Sequence, residues 1–270
     1  MKQTVVGIAG VALTSSTRAV LAAEKKVGVG VQLYSVRDEC TADLPGTLAA
    51  VSKIGYKAVE FAGYHGRSAK ELRKLLDHNG LIACGTHTAF ETIQPANLDS
   101  TMEFNQIIGN KFLIVPWMNE TDSKKEWSER ATLFDDTAEK LKPHGLAVGY
   151  HAHAHDFRSI GGISAWDFFF GNTSRDVIMQ LDTSNCRDAG QDPLAVLKKY
   201  PGRARTIHIK ANGAGPEAVI GEDTINWKEV FAFCEGPGKT EWYVVEHETS
   251  KDPLDAIKRN YAALQKFGKV

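Results

Sequence analysis

Cysteine is scarce and scattered in this 270-residue chain: Cys40, Cys84, Cys186 and Cys234 form no Cys-x-x-Cys pair, which speaks against a thiolate metal centre or a redox dithiol. Cys84 and Cys186 fall on or just after apolar runs, so buried inert thiols are expected rather than disulfides. Charge of one sign is lacking too. With 32 basic residues against 33 acidic ones, a formal net charge of −1, no basic stripe and no run of like charge, nothing attracts nucleic acid over a distance. No apolar run reaches the roughly 20 residues that a membrane span needs. No linker or low-complexity stretch marks off a second domain, and 270 residues suit one large core of the barrel type.

The first 26 residues differ from the rest. Val5 to Leu13 is apolar, Thr14 to Arg18 polar, and Ala19 to Ala23 small and apolar, with Val20-Leu21-Ala22 and Leu21-Ala22-Ala23 acceptable as cleavage sites. Only Met1 and Lys2 supply positive charge at the start. The stretch is similar to the later portion of a twin-arginine export signal without its arginine pair. An export signal over residues 1–23 is therefore expected, with the protein periplasmic or secreted. A disordered tail on a cytoplasmic protein is the alternative.

From Val27 onward, strand-like and helix-like segments alternate as in consecutive βαβ units. Strands are predicted at Val27–Tyr34, Lys57–Phe61, Leu81–Thr86, Phe112–Val115, Gly145–His151, Val177–Asp182, Arg205–Ile209 and Glu241–Glu246. Between them, Ser68-x-x-Glu71, Ser100-x-x-Glu103, Ser123-x-x-Glu126 and Asn226-x-x-Glu229 fit helix caps, and Asp192-Pro193 and Asp252-Pro253 place a cap before proline at the first helical position. Gly55, Gly80 and Gly145 read as helix stops. The count predicts an α/β fold, a single (β/α)8 TIM barrel over residues 27–270 preceded by the signal-like segment; an open doubly wound sheet is the competing arrangement.

His87, His151, His153, Asp182, His208 and Glu246 each sit at or beside the C-terminal end of one of these strands, where a parallel barrel carries its chemistry. Residues two apart on a strand point the same way, so His151 and His153 share a face, and His155 joins them only if the strand continues. Each signal has an ordinary alternative. Asp182 could simply cap the next helix, His208 between two isoleucines could be a satisfied core histidine, and the histidine run could be a solvated loop. Glu246 at the end of an apolar strand requires a partner, because a bare buried carboxylate is costly. Imidazoles and carboxylates gathered at one end of a barrel are what a divalent metal binds.

At these residues the chain resembles the xylose-isomerase-like TIM barrels, the group called sugar phosphate isomerase/epimerase. The resemblance covers nearly everything after residue 26 and is carried by Val31-Gln32-Leu33-Tyr34-Ser35-Val36-Arg37-Asp38, Gly55-Tyr56-Lys57-Ala58-Val59-Glu60, Tyr150-His151-Ala152-His153, Leu181-Asp182-Thr183-Ser184-Asn185, Tyr200-Pro201-Gly202-Arg203 with His208-Ile209-Lys210, and Val245-Glu246. It implies one divalent metal, commonly Mn²⁺, with Mg²⁺, Co²⁺ or Zn²⁺ as other candidates, and its Asp, His and Glu ligands carry over onto Asp182, His208 and Glu246. The family's usual strand-five glutamate is replaced by His151 and His153. One of these is expected to bind metal and the other to act as acid/base or contact substrate. Arg158 after Asp156-Phe157, and Ala211 after His208-Ile209-Lys210, depart from the family pattern and suggest an altered substrate pocket. No glycine-rich turn of the phosphate-cradling kind follows strands seven or eight, so phosphate recognition is not carried over.

The resemblance further implies a metal-dependent sugar isomerase or epimerase moving a proton beside a metal-polarised carbonyl, on keto sugars or glycosides. Glu246 is the base candidate, with His151 or His153 as a second acid/base. Glu60, His87, Asn185, Arg187 and Lys210 would orient sugar hydroxyls, while Tyr34 and Trp117 would offer a stacking surface, unless they are ordinary rim packing. A metal-dependent hydrolase or lyase of 3-keto glycosides is the second class. An apurinic-endonuclease-like phosphodiesterase is disfavoured by the charge balance, and a non-catalytic sugar-binding barrel is a further alternative. A small-molecule sugar is thus the expected partner, without nucleic acid or membrane insertion, and a homo-oligomer is compatible with all of this.

Overall fold

Inward-facing residues along the strands run from apolar at one end of a parallel barrel to polar at the other, and this gradient positions the site. In the computed structural model, which describes Met1 and residues 26–270, the strands are β1 (Gly28–Gln32), β2 (Ala58–Ala62), β3 (Ile82–His87), β4 (Phe112–Val115), β5 (Ala147–His151), β6 (Ile178–Gln180), β7 (Thr206–Ile209) and β8 (Trp242–Val245). The helices are α1 (Arg37–Ile54), α2 (Ala69–His78), α3 (Leu98–Ile108), α4 (Lys124–Leu141), α5 (Ala165–Gly171), α6 (Thr183–Asp188), α7 (Pro193–Lys199), α8 (Trp227–Glu235) and α9 (Pro253–Lys266). The segment expected to be an export signal lies, Met1 apart, outside the described residues. No helix among the described residues is long and apolar enough to cross a membrane.

All strand pairs are parallel, in the order β6-β5-β4-β3-β2-β1-β8-β7. The ring closes between the two ends of that order. Met179 N–H donates to the Arg203 carbonyl at 3.0 Å, His208 N–H donates to the Leu181 carbonyl at 2.9 Å, and Asp182 pairs with His208 in an isolated parallel bridge. This is the eight-stranded α/β barrel that the alternation predicts, and not the open sheet.

Most apolar burial lies between strands and helices, where Trp127, Trp166, Tyr56, Tyr150, Phe134 and Phe169 are almost wholly inaccessible. Inside the barrel, Phe112, Ile114, Ala147 and Ile178, and beside them Ala58, Cys84 and Val244 under Trp242, close the N-terminal end. One pleat further on, the buried interior residues are Gln32, Glu60, Gln180 and His208. A register shift at Val59/Glu60 against β3 changes the parity of that strand, so that Gly85 faces Glu60 and His87 can face the interior as well. Gly85 is required there, because any Cβ would lie 2.2 Å from Glu60 Oε1.

The helix signals hold at five of six predicted starts. Ser68 and Glu71 form a reciprocal capping box, and the side chains of Ser123, Asp192, Asn226 and Asp252 accept from first-turn amides. Ser100 is the exception. α3 already begins at Leu98, so Ser100 lies in its first turn and its hydroxyl donates to the Asn97 carbonyl at 2.8 Å. The stops at Gly55, Gly80 and Gly145 have φ of 127°, 62° and 71°, positive values that favour glycine. All four cysteines are free and buried.

Candidate metal centre and adjoining pocket

Four side chains from successive strand ends converge. His151 closes β5, Asp182 follows β6, His208 lies in β7 and Glu246 follows β8, and one ligand atom from each lies within 4.8 Å of every other. All four are buried. Asp182 does two things at once. Its Oδ1 caps α6 by accepting from Asn185 N–H at 2.7 Å, whereas its buried Oδ2 has no hydrogen-bond partner. Burial and the nearby Glu246 carboxylate push its pKa up to about 7, against the opposing pull of Lys210 and His208. A buried carboxylate oxygen without a donor is a position that a cation satisfies, and two imidazoles with two carboxylates suit a divalent first-row ion. The residues present therefore fit a metal.

His208 is clasped between two carboxylates, with Nε2 at 2.5 Å from Glu60 Oε2 and Nδ1 at 2.7 Å from Glu246 Oε2. Burial opposes its charged form, but Glu60 and Glu246 prevail and raise it to about 10. The same imidazolium, together with Lys210, holds Glu246 well below the usual carboxylate range despite burial. Metal ligation requires one ring nitrogen to release its proton, leaving the other N–H to be fixed by a neighbouring acceptor. Glu60 is built for that second role. It is fully buried, accepts from Gln32 Nε2 at 2.8 Å and Gln180 Nε2 at 2.9 Å, and does not line the pocket. Glu60, expected from the sequence to orient sugar hydroxyls, is placed by the register of β2 beneath His208 and away from the cavity wall.

Gln180 extends the support. Its Oε1 lies 2.9 Å from His87 Nε2 and 3.0 Å from His151 Nδ1, fixing both rings. Burial, with the surrounding imidazoles, drives His151 well below its ordinary pKa and keeps it neutral. His153 stands apart from the four-residue group, on the wall of the cavity, and burial and His155 lower it to about 4. The pair left open in the sequence is thus told apart: both rings border the cavity, their centroids 4.9 Å apart, but only His151 belongs to the donor cluster.

That cavity, of about 450 Å³, is bounded by Tyr34, His87, Trp117, His151, His153, Glu246 and Glu248, among others. Tyr34 and Trp117 are about half exposed on its rim, at 44% and 49%. Lys210 is not on the wall itself, but its Nζ meets Glu248 Oε1, which is, at 2.5 Å. Two expected substrate contacts are placed elsewhere. Asn185 donates to the Ala152 carbonyl at 2.9 Å, pinning the backbone between the two histidines, and Arg187 is exposed on α6; neither lines the cavity. Sequence reasoning missed Glu248, Gln32 and Gln180. The two-residue alternation that pairs His151 with His153 also pairs Glu246 with Glu248 and Gln180 with Asp182, and polar residues inside apolar runs were the available signal.

A family model described as xylose isomerase-like TIM barrel matches residues 48–267. Among curated relatives, an inosose dehydratase of Lacticaseibacillus casei is 24% identical over 249 residues, covering 77% of this chain and 82% of that protein. An inosose dehydratase of Geobacillus thermodenitrificans is 25% identical over 286 residues, covering 88% and 95%. Among solved structures, a sugar phosphate isomerase/epimerase from Parabacteroides distasonis superposes with a TM-score of 0.78 at 23% identity, covering 89% of this chain and 98% of that one.

Proposed function

The chain belongs to the xylose isomerase-like TIM barrels, and from that membership and its buried donor set we propose that it is a metal-dependent sugar isomerase or epimerase, abstracting a proton from the carbon beside the carbonyl of a keto sugar. The observation that carries this reading is the joint presence of the His151–Asp182–His208–Glu246 cluster and a neutral His153 on one cavity wall. A divalent ion held by the four residues, Mn²⁺ by preference, supplies polarisation of the carbonyl oxygen. Glu246 reaches the cavity wall, stays ionised among its cationic neighbours, and is the base candidate by its position. His153 is a second acid/base within the same cavity, and the Lys210–Glu248 pair presents a donor and an acceptor for hydroxyls. Tyr34 and Trp117 give the sugar ring apolar faces to lie against. The signal-like composition of residues 1–23 supports work outside the cytoplasm.

Elimination on the same site is the second reading, favoured by one observation: curated relatives that span most of this chain, the L. casei and G. thermodenitrificans proteins among them, are named inosose dehydratase. Loss of a β-hydroxyl begins with the same proton abstraction, so the two readings share their first step. Incubating Mn²⁺-loaded protein with free keto hexoses and with a keto cyclitol in D₂O tests both by NMR. Deuterium incorporation with all hydroxyls retained supports isomerisation or epimerisation, and loss of water supports elimination. Absence of exchange with every keto substrate that binds would sink both.

A further inference from the structure

Beyond the indole of Trp117 lies a second cavity of about 360 Å³, and Pro116 and Trp117 form the wall that it shares with the first. The first cavity alone, at about 450 Å³, sits toward the small end of the range of roughly 300–1,000 Å³ that ligand pockets occupy. The second is mainly apolar, with Phe90 and Met118 beside Pro116, and its polar groups are Glu91, Asn119 and Arg130. Arg130 is held over the Trp127 ring at 4.7 Å and lies 3.9 Å from Glu126, yet its Nη1 is buried with no hydrogen-bond partner. That atom is closed to solvent, but the rest of the guanidinium borders the cavity beside the exposed indole of Trp117, and a planar cation next to aromatic surface suits a hydroxyl-bearing or aromatic ring.

Resting on the reading of the first cavity as the reacting site, we infer that the substrate has two parts: a sugar ring above the donor cluster, and a second ring, glycosyl or aryl, laid across Trp117 against Phe90 and within reach of Arg130. The substrate class is therefore a glycoside-like molecule rather than a free monosaccharide. Phe90 and Arg130 are specificity residues in this scheme; neither touches the proposed reacting atoms.

Binding of unreactive probes tests this independently of turnover. Isothermal calorimetry on the full chain with glucose, cellobiose and phenyl β-glucoside should show both two-ring probes binding about tenfold tighter than glucose. Phe90→Ala should remove that advantage without changing glucose affinity, and Arg130→Lys, which keeps the charge near Glu126, should reduce it for cellobiose. Equal affinity for all three probes, failure of either two-ring probe to bind, or an advantage retained in both variants would overturn the inference. Because none of these readouts involves proton transfer, the isomerase and dehydratase readings stand or fall separately, on deuterium exchange.

Discussion

His151 and His153 illustrate how two residues of one type on one face acquire different work. His151 accepts its orientation from Gln180 and lies within the donor cluster, whereas His153 faces open cavity beside Trp117, their ring centroids 4.9 Å apart. His151→Ala is expected to weaken Mn²⁺ binding by at least about tenfold, while His153→Ala keeps the metal and loses most turnover; metal titration alongside kinetics checks this, and the reverse pattern would exchange their roles. Glu60 acts through His208. Glu60→Gln should lower metal affinity by about 10- to 100-fold without altering the cavity wall, since the amide no longer anchors the ring N–H as a carboxylate does. Competition against a metal-sensitive dye measures it, and unchanged affinity would remove Glu60 from the site.

At the scale of elements, the chain announced its strands and most of its caps because those signals are local. Asp192-Pro193 and Asp252-Pro253 are decided within a few residues, and the structure places both as drawn from sequence. Ser100 misled for the same reason: the local capping pattern is present, but Asn97 three residues earlier takes the position that leaves α3 one turn longer. What stayed illegible depends on residues far apart in sequence. The Glu60–His208 contact spans 148 positions, and the shift in β2–β3 register that sets His87 inward shows only when both strands are aligned. Contacts between helices are equally hidden. Asp167 in the first turn of α5 accepts from Lys199 at 2.9 Å and from Tyr200 at 3.0 Å, tying α5 to α7. Burial raises the Asp167 pKa, but these donors and the Ser164 cap outweigh it, and the net shift is downward. A carboxyl lowered on folding stabilises at pH above its unfolded value, and that stabilisation disappears as pH falls through the folded value. Asp167→Asn should therefore cost about 1 kcal/mol at pH 7 and progressively less below roughly pH 4. Urea unfolding at both pH values tests this, and a difference independent of pH would contradict it.

Across the whole molecule, the site and the weakest seam of the barrel coincide. Seven strand pairs are joined by registered ladders, whereas β6 meets β7 through the Asp182–His208 bridge and two neighbouring hydrogen bonds. Two of the four donor residues are the partners in that bridge, and the others come from β5 and β8 on either side. An ion bound there links the strands that backbone pairing joins least, so its binding energy should add to stability where the ring is most easily opened. With free metal at about 100 times its Kd the gain is roughly 2.7 kcal/mol, which for a domain of this size raises the Tm by about 5–10 °C. Chelation should reverse that rise. It should also speed amide exchange selectively at Met179 and His208, the two N–H donors of the seam, relative to the β1–β2 ladder, as expected when one unit opens ahead of the rest. Hydrogen exchange with and without chelator reads both regions in one experiment. Uniform acceleration across all eight strands would show the ion stabilising the fold as a whole, and no acceleration at all would remove the metal from this seam.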